Sequence, residues 1–193
     1  MIADLSQRML HWCQQHQWYG AELDFRRFAG TADHERQSFT HPPATTEQVE
    51  TAETLLGYPL PTTLTTLYQH LANGGFGPAY GLRGLDPEDD ESLVSRYRDW
   101  YRPQNRTLSE LSGERLFATP PQSITLHYRQ WPRGLVPICN WGCGSEICVD
   151  CTTPEGRVIH VGPAKEARHL LLTGLAPSFE DWMLAWLARV PEP

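Results

Sequence analysis

The chain has 193 residues, of which 40% are hydrophobic, and a formal net charge of −7. This length predicts one domain with enough apolar residues for a sizeable core. The negative charge argues against general nucleic-acid binding, which depends on neutralising phosphates, and is compatible with a basic protein partner.

Residues 1–41 are predicted to be an extension packed on the core, and residues 42–193 the main domain. Apolar residues at helical spacing, including Ile2, Leu5 and Met9, predict a helix within the first eighteen residues. About forty residues bury too little apolar surface to fold alone. The extension is therefore not expected to be a separate domain.

Residues 45–78 predict two short amphipathic helices joined by a proline elbow. Thr45 and Gln48 have the spacing of a capping box, and Gly57 is placed to end the first helix. Pro61 suits the first turn of the second helix, which Asn73-Gly74-Gly75 stops. The two apolar stripes are Val49, Ala52, Leu55 and Leu56, followed by Leu64, Leu67, Tyr68 and Leu71.

The middle of the chain gives a mixed pattern. Residues 80–85 predict a first strand, and the acidic run 86–91 predicts a solvated loop before a helix. That helix carries an apolar stripe from Leu93 to Tyr101 and is stopped by Pro103. Residues 122–129 predict a further helix.

Residues 135–141, 146–151 and 157–161 predict three consecutive strands. In the second strand, Ile147 and Val149 alternate with Glu146 and Asp150, which predicts an apolar face toward helices and a polar face toward solvent. Residues 162–174 return the chain. Ser178 is placed to cap a final helix whose stripe contains Phe179, Trp182, Met183, Trp186 and Val190.

The expected fold is therefore α+β, with helices packed on one face of a mostly antiparallel sheet. No apolar run approaches the roughly 20 residues that a membrane span needs, and polar residues interrupt the start of the chain where a signal peptide would be apolar. The sequence thus predicts a cytoplasmic protein with reduced cysteines.

Several of these segments resemble the SUKH superfamily, the Smi/Knr-type domain. The first is Leu56-Gly57, Leu60-Pro61 and then Asn73-Gly74-Gly75-Phe76-Gly77. The second is WPRGLVPICNWGCGSEICVD at residues 131–150, which is similar to the central hairpin of the family, and the third is Ser178 to Trp182. The resemblance covers roughly residues 42 to 190.

The resemblance implies a non-catalytic protein-binding domain. Bacterial members are mostly immunity proteins that bind a cognate toxin, often a nuclease or deaminase, in polymorphic toxin systems. Fungal members imply an alternative, a regulatory scaffold with several partners. A third reading, a small thiol- or zinc-dependent protein, also stays open at this point.

That third reading depends on Cys139, Cys143, Cys148 and Cys151, which crowd into thirteen residues. Their C-x3-C-x4-C-x2-C spacing differs from the paired C-x2-C knuckles of zinc ribbons. Cys148 and Cys151 lie three apart in a predicted strand, so they point to opposite faces. We therefore expect reduced thiols, no metal and no cofactor.

The partner surface is expected on the polar side of the hairpin. Glu146 and Asp150 are interpreted as exposed carboxylates, and Trp141 as an aromatic anchor or a core residue. The acidic run adds Asp86, Glu88, Asp89 and Asp90. A basic protein partner fits this surface, whereas nucleic acid and membrane do not.

Overall fold

The computed structural model describes residues 5, 7, 8, 41–79 and 81–188. Most of the 1–41 extension, together with Tyr80 and Val190, lies outside the described residues. Leu5 is fully buried in the main hydrophobic cluster. The division of the chain at residue 41 stays a prediction.

Four α-helices are present in the described part of the chain: α1 (Thr46–Leu56), α2 (Thr62–His70), α3 (Leu93–Trp100) and α4 (Phe179–Leu187). The capping box of Thr45 and Gln48 is confirmed, and Gly57 ends α1 in the left-handed conformation with φ 75°. Ser92 and Ser178 cap α3 and α4 through their hydroxyl groups. These local signals set the starts of α1, α3 and α4 and the end of α1, whereas α2 begins without a side-chain cap.

Five antiparallel strands form one sheet in the order β1-β5-β4-β3-β2. They are β1 (Ile124–His127), β2 (Leu135–Gly142), β3 (Ser145–Asp150), β4 (Arg157–Pro163) and β5 (His169–Ala176). The three strands predicted from residues 135–161 are confirmed as β2, β3 and β4. The α+β fold class is likewise confirmed.

All four helices contribute to the main core on one face of the sheet. Val49, Leu64, Val94 and Phe179, one from each helix, belong to the same buried cluster as Ile147 of β3. Within α1, Leu55 departs from the predicted stripe, because its side chain is 39% exposed. Trp186 of α4 packs on this core but is only partly buried.

The opposite face of the sheet is also covered, which corrects the expected solvent-facing layout. The chain between α3 and β2 folds across it in three short 3-10 helices, Ser109–Leu111, Gly113–Phe117 and Tyr128–Gln130, and contributes β1 to the edge of the sheet. Trp131, Leu116 and Leu108 from this cover form a second buried cluster with Cys148, Ile159 and Leu172 of the sheet. The connection between α3 and β2 is long enough to supply the apolar residues that bury this face. The alternating pattern of β3 alone predicts that the face is polar.

Two other predicted elements were wrong, and one strand was not predicted. Residues 80–85 form no sheet strand among the described residues and make a single bridge, between Leu82 and Cys139. Residues 122–129 contain β1 and part of a 3-10 helix, not an α-helix. The predicted return at 162–174 contains most of β5, a strand paired with both β1 and β4.

Candidate protein-interaction surface

The Asn73-Gly74-Gly75 stop positions the segment that leads into the acidic run. A Cβ on Gly74 would lie 2.7 Å from the backbone nitrogen of Gly84, so only glycine permits this close approach. Asn73 Oδ1 accepts a hydrogen bond from the Leu85 amide at 2.9 Å. The Arg83 amide donates to the Ile138 carbonyl of β2 at 2.8 Å. Arg83 is thereby fixed against the edge of the sheet.

The Arg83 guanidinium joins the acidic run to the hairpin. It donates from Nη2 to both carboxylate oxygens of Glu146, at 3.0 and 3.1 Å, and from Nη1 to the carboxylate and the main-chain oxygen of Glu91. Arg96 of α3 donates to Glu146 as well, at 3.2 Å. Burial lowers the pKa of Arg83, but the hydrogen bonds and charges of Glu91 and Glu146 outweigh it and raise the pKa above its usual value.

Glu146 is therefore not the exposed carboxylate that the sequence indicated. Its exposed fraction is 8%, and two arginines share its charge. A buried carboxylate is stable only when it is paired and hydrogen-bonded, and both conditions are met here. Glu146 therefore stabilises the surface through its ion pairs with Arg83 and Arg96.

Asp150 is also buried, with an exposed fraction of 0%, at the far end of β3. Its carboxylate accepts from Arg157 at 2.7 Å and from the Thr152 amide at 3.1 Å. Arg157 in turn reaches Glu114 of the covering segment at 2.9 Å. Asp150 and Glu146 thus belong to two separate ion-pair networks, and the expectation that both face a partner directly was wrong.

The acidic loop, residues 86–91, is exposed at Asp86, Glu88, Asp89 and Asp90, as predicted. Two of its carboxylates also fix its shape. Asp86 Oδ1 accepts from the Glu88 amide at 3.0 Å, and Asp89 Oδ1 accepts from the Glu91 amide at 2.9 Å. Glu88 and Asp90 present their charges to solvent from this fixed backbone.

Trp141 is 47% exposed and lies in the β2–β3 hairpin. The strand register shifts between Asn140 and Gly142, and such shifts re-aim the side chain between them. The turn that follows contains Cys143 with φ 51° between two glycines of positive φ. Of the two interpretations of Trp141, the buried core residue is excluded.

The acidic loop and the hairpin are neighbours because Arg83 bonds to Glu91 at one side and to Glu146 at the other. The structure thus brings Trp141, at the end of β2, and the acidic loop to the same edge of the sheet.

Sequence reasoning missed Arg83, Arg96 and Arg157, although buried-strand carboxylates in a chain with many arginines are a signal for such pairs. The pairing of each arginine with its carboxylate depends on the tertiary structure.

Three of the four hairpin cysteines, Cys139, Cys148 and Cys151, are buried, whereas Cys143 is exposed in the turn. Cys148 lies in the second cluster and Cys151 in the main core, so they occupy opposite faces as predicted. Burial raises the pKa of both thiols well above the ordinary value, which keeps them protonated and poorly nucleophilic. No group of three or more potential metal ligands converges within the described residues. The absence of metal from the purified protein stays a prediction.

These features define a class, a small α+β domain whose core carries buried ion pairs and whose sheet edge carries an exposed aromatic beside an acidic loop. Residues 43–185 match the model of the SMI1 / KNR4 family (SUKH-1). The match spans well over half of the chain, so the protein belongs to this family. No curated protein matches the chain. Within the described residues, no helix has the length and apolarity required to cross a membrane.

Proposed function

We propose that this protein is a non-catalytic immunity protein, which neutralises a cognate bacterial toxin by binding it directly. Membership of the SMI1 / KNR4 family (SUKH-1) is the observation that carries this proposal, because bacterial domains of this type serve mostly as immunity proteins. Neutralisation of this kind needs a complementary surface and no catalytic residue.

The proposed contact surface consists of Trp141 and the four exposed acids of the loop, Asp86, Glu88, Asp89 and Asp90. A half-exposed tryptophan supplies a large apolar contact, as in many interface centres. The acids supply a field that accelerates the approach of a basic toxin. Glu146 and Asp150 contribute indirectly in this proposal, by holding the hairpin and its neighbours in place.

Co-expression with the product of an adjacent toxin-like gene tests the proposal. Cells that produce the candidate toxin should grow only when this protein is present, and the two proteins should co-purify as a complex. The test variant is Trp141→Ala and its matched control is Leu175→Ala, since both remove a large hydrophobic side chain that is exposed. Protection should be weakened by Trp141→Ala alone. Growth arrest that this protein fails to relieve, for every adjacent candidate, would contradict the proposed function.

A further inference from the structure

A basic corner lies at the β1 side of the sheet, remote from the acidic loop. We define it as the side chains at the end of β1 and in the β4–β5 turn: His127, Tyr128, Arg129, Lys165, Arg168 and His169. Arg129, Lys165 and Arg168 are exposed. Lys165 is the only lysine of the chain.

The corner has a fixed geometry. His127 and His169 face each other across the β1–β5 ladder, with ring centroids 5.4 Å apart in an edge-to-face arrangement. The Arg168 carbonyl accepts a hydrogen bond from the Tyr128 amide at 2.9 Å, which ties the turn to β1. Arg129 donates from Nε to the Tyr128 hydroxyl at 3.1 Å, which orients its guanidinium.

The positive charges of the corner are not neutralised inside the described structure. There, Arg129, Lys165 and Arg168 form no ion pair, whereas Arg83, Arg96, Arg133 and Arg157 all do. Within the β4–β5 turn itself, Glu166 is the single acidic residue. In a chain of net charge −7, this is a local excess of positive charge.

The acidic loop of the same molecule is too far away to balance the corner. The loop adjoins β2, whereas the corner lies at the end of β1, the opposite edge strand, and in the turn between β4 and β5. In the strand order, β1 lies four strand spacings from β2, about 19 Å, and the β4–β5 turn lies two to three spacings from β2, about 10–14 Å. Exposed charges are largely screened beyond about 8 Å at physiological salt. Within the part of the chain that the structure describes, neither patch neutralises the other.

We propose that the basic corner binds the acidic loop of a second copy of this protein. The loop offers exposed carboxylates on a backbone fixed by Asp86 and Asp89, so little order must be gained on binding. This inference does not rest on the proposed toxin. It adds a consequence, however, because a loop occupied by a second copy is not available to a toxin.

Sedimentation velocity of the full chain tests the proposal at about 0.1 M and about 1 M salt, where the screening length is about 10 Å and about 3 Å. Association is expected at low salt and its loss at high salt. Arg129→Glu with Arg168→Glu should weaken association at least tenfold. Each exposed charge contact contributes little by itself, but several are lost together in this variant. The matched control, Arg98→Glu with Arg102→Glu, makes the same charge change at exposed positions of and just after α3 and should leave association unchanged.

Charge exchange gives a second, independent readout. Glu88→Lys with Asp90→Lys reverses the loop without touching the carboxylates that shape it, and this variant alone should be monomeric. Mixed with the Arg129→Glu/Arg168→Glu variant, it should associate again, because opposite charges then face each other. A mixture that stays monomeric would overturn the proposal.

The single lysine allows the contact to be located. A carbodiimide joins amines to carboxylates without a spacer, so the associated protein should give a covalent dimer in which Lys165 is linked to a residue of 86–91. Lys165→Arg keeps the charge and should remove this link. A wild-type chain that is monomeric at low salt, or a dimer that Lys165 links to other carboxylates only, would overturn the proposal.

Discussion

At the scale of single residues, buried charge is the feature that organises this protein. Arg83 and Arg157 each form an ion pair with a buried carboxylate of β3. Arg83 pairs with Glu146, and Arg157 pairs with Asp150. Removing one partner of such a pair leaves the other desolvated without compensation, which costs more than the pair contributes. Glu146 and Glu91 allow this effect to be measured, since both bind the same guanidinium but differ in burial.

Glu146→Gln is expected to lower the free energy of unfolding by roughly 2–4 kcal/mol, somewhat below the usual figure for a buried pair because Glu91 still neutralises Arg83. Glu91→Gln should cost less than about 1 kcal/mol, because the Glu91 side chain is 68% exposed. Urea denaturation of the two variants gives both values. Equal losses would mean that burial of Glu146 does not set the strength of the network.

His160 predicts a pH dependence of stability. Burial lowers its pKa below the usual value. As pH falls, the unfolded chain therefore binds the proton first, so the contribution of His160 is complete above about pH 6.5 and declines below it. The melting temperature should fall less between pH 7.5 and 5.5 for His160→Gln than for the wild type. The same decline in both proteins would assign the effect to other groups.

At the scale of elements, α4 shows how burial differs along one helix. Phe179 and Met183 are fully buried and Trp182 is 8% exposed, whereas Trp186 is only partly covered. The sequence places all of them on one stripe. The stripe predicts which face points inward, but the neighbouring elements decide how completely each position is covered.

Trp182→Ala is therefore expected to cost about 3–5 kcal/mol, as large aromatic deletions in cores do, and Trp186→Ala about 1–2 kcal/mol. Chemical denaturation of both variants, with circular dichroism to verify the native fold, measures the difference. A larger loss for Trp186→Ala would show that this helix is anchored at its C-terminal end.

The helices were predictable because their signals are local. Thr45, Gln48 and Gly57 define α1 by contacts within the helix itself. By contrast, β1 was missed because its partner strand β5 lies far along the chain. β5 was missed although it forms a hairpin with β4. The run from His169 to Ala176 lacks the strict alternation that marks a half-exposed strand.

The candidate site was predictable in part for the same reason. Exposure of the acidic loop follows from its composition, and Trp141 was placed correctly at the hairpin. The burial of Glu146 and Asp150 was not predictable from β3, because their partners, Arg83 and Arg96 for Glu146 and Arg157 for Asp150, come from other elements. An alternating pattern with polar residues on one face of a strand predicts that this face is exposed to solvent, unless the ion-pair partners of those residues are known.

At the scale of the whole molecule, charge is distributed unevenly across the sheet. The acidic loop lies beside β2, and the basic corner lies at the end of β1 and in the β4–β5 turn. A protein of net charge −7 that approaches a basic partner is steered with its acidic edge forward. Exposed charges act mainly on the association rate, and the tryptophan acts on the lifetime of the complex.

The most direct test of the protein-binding account is the kinetics of association with the candidate toxin from the adjacent gene, measured by surface plasmon resonance at two salt concentrations. Glu88→Gln with Asp90→Asn should slow association several-fold at low salt and flatten its salt dependence. Trp141→Ala should raise the Kd about tenfold or more, mostly through faster dissociation. Glu47→Gln with Glu180→Gln, the same change in charge at other positions, should alter neither. Unchanged rates for the loop and Trp141 variants would contradict the assignment of this surface.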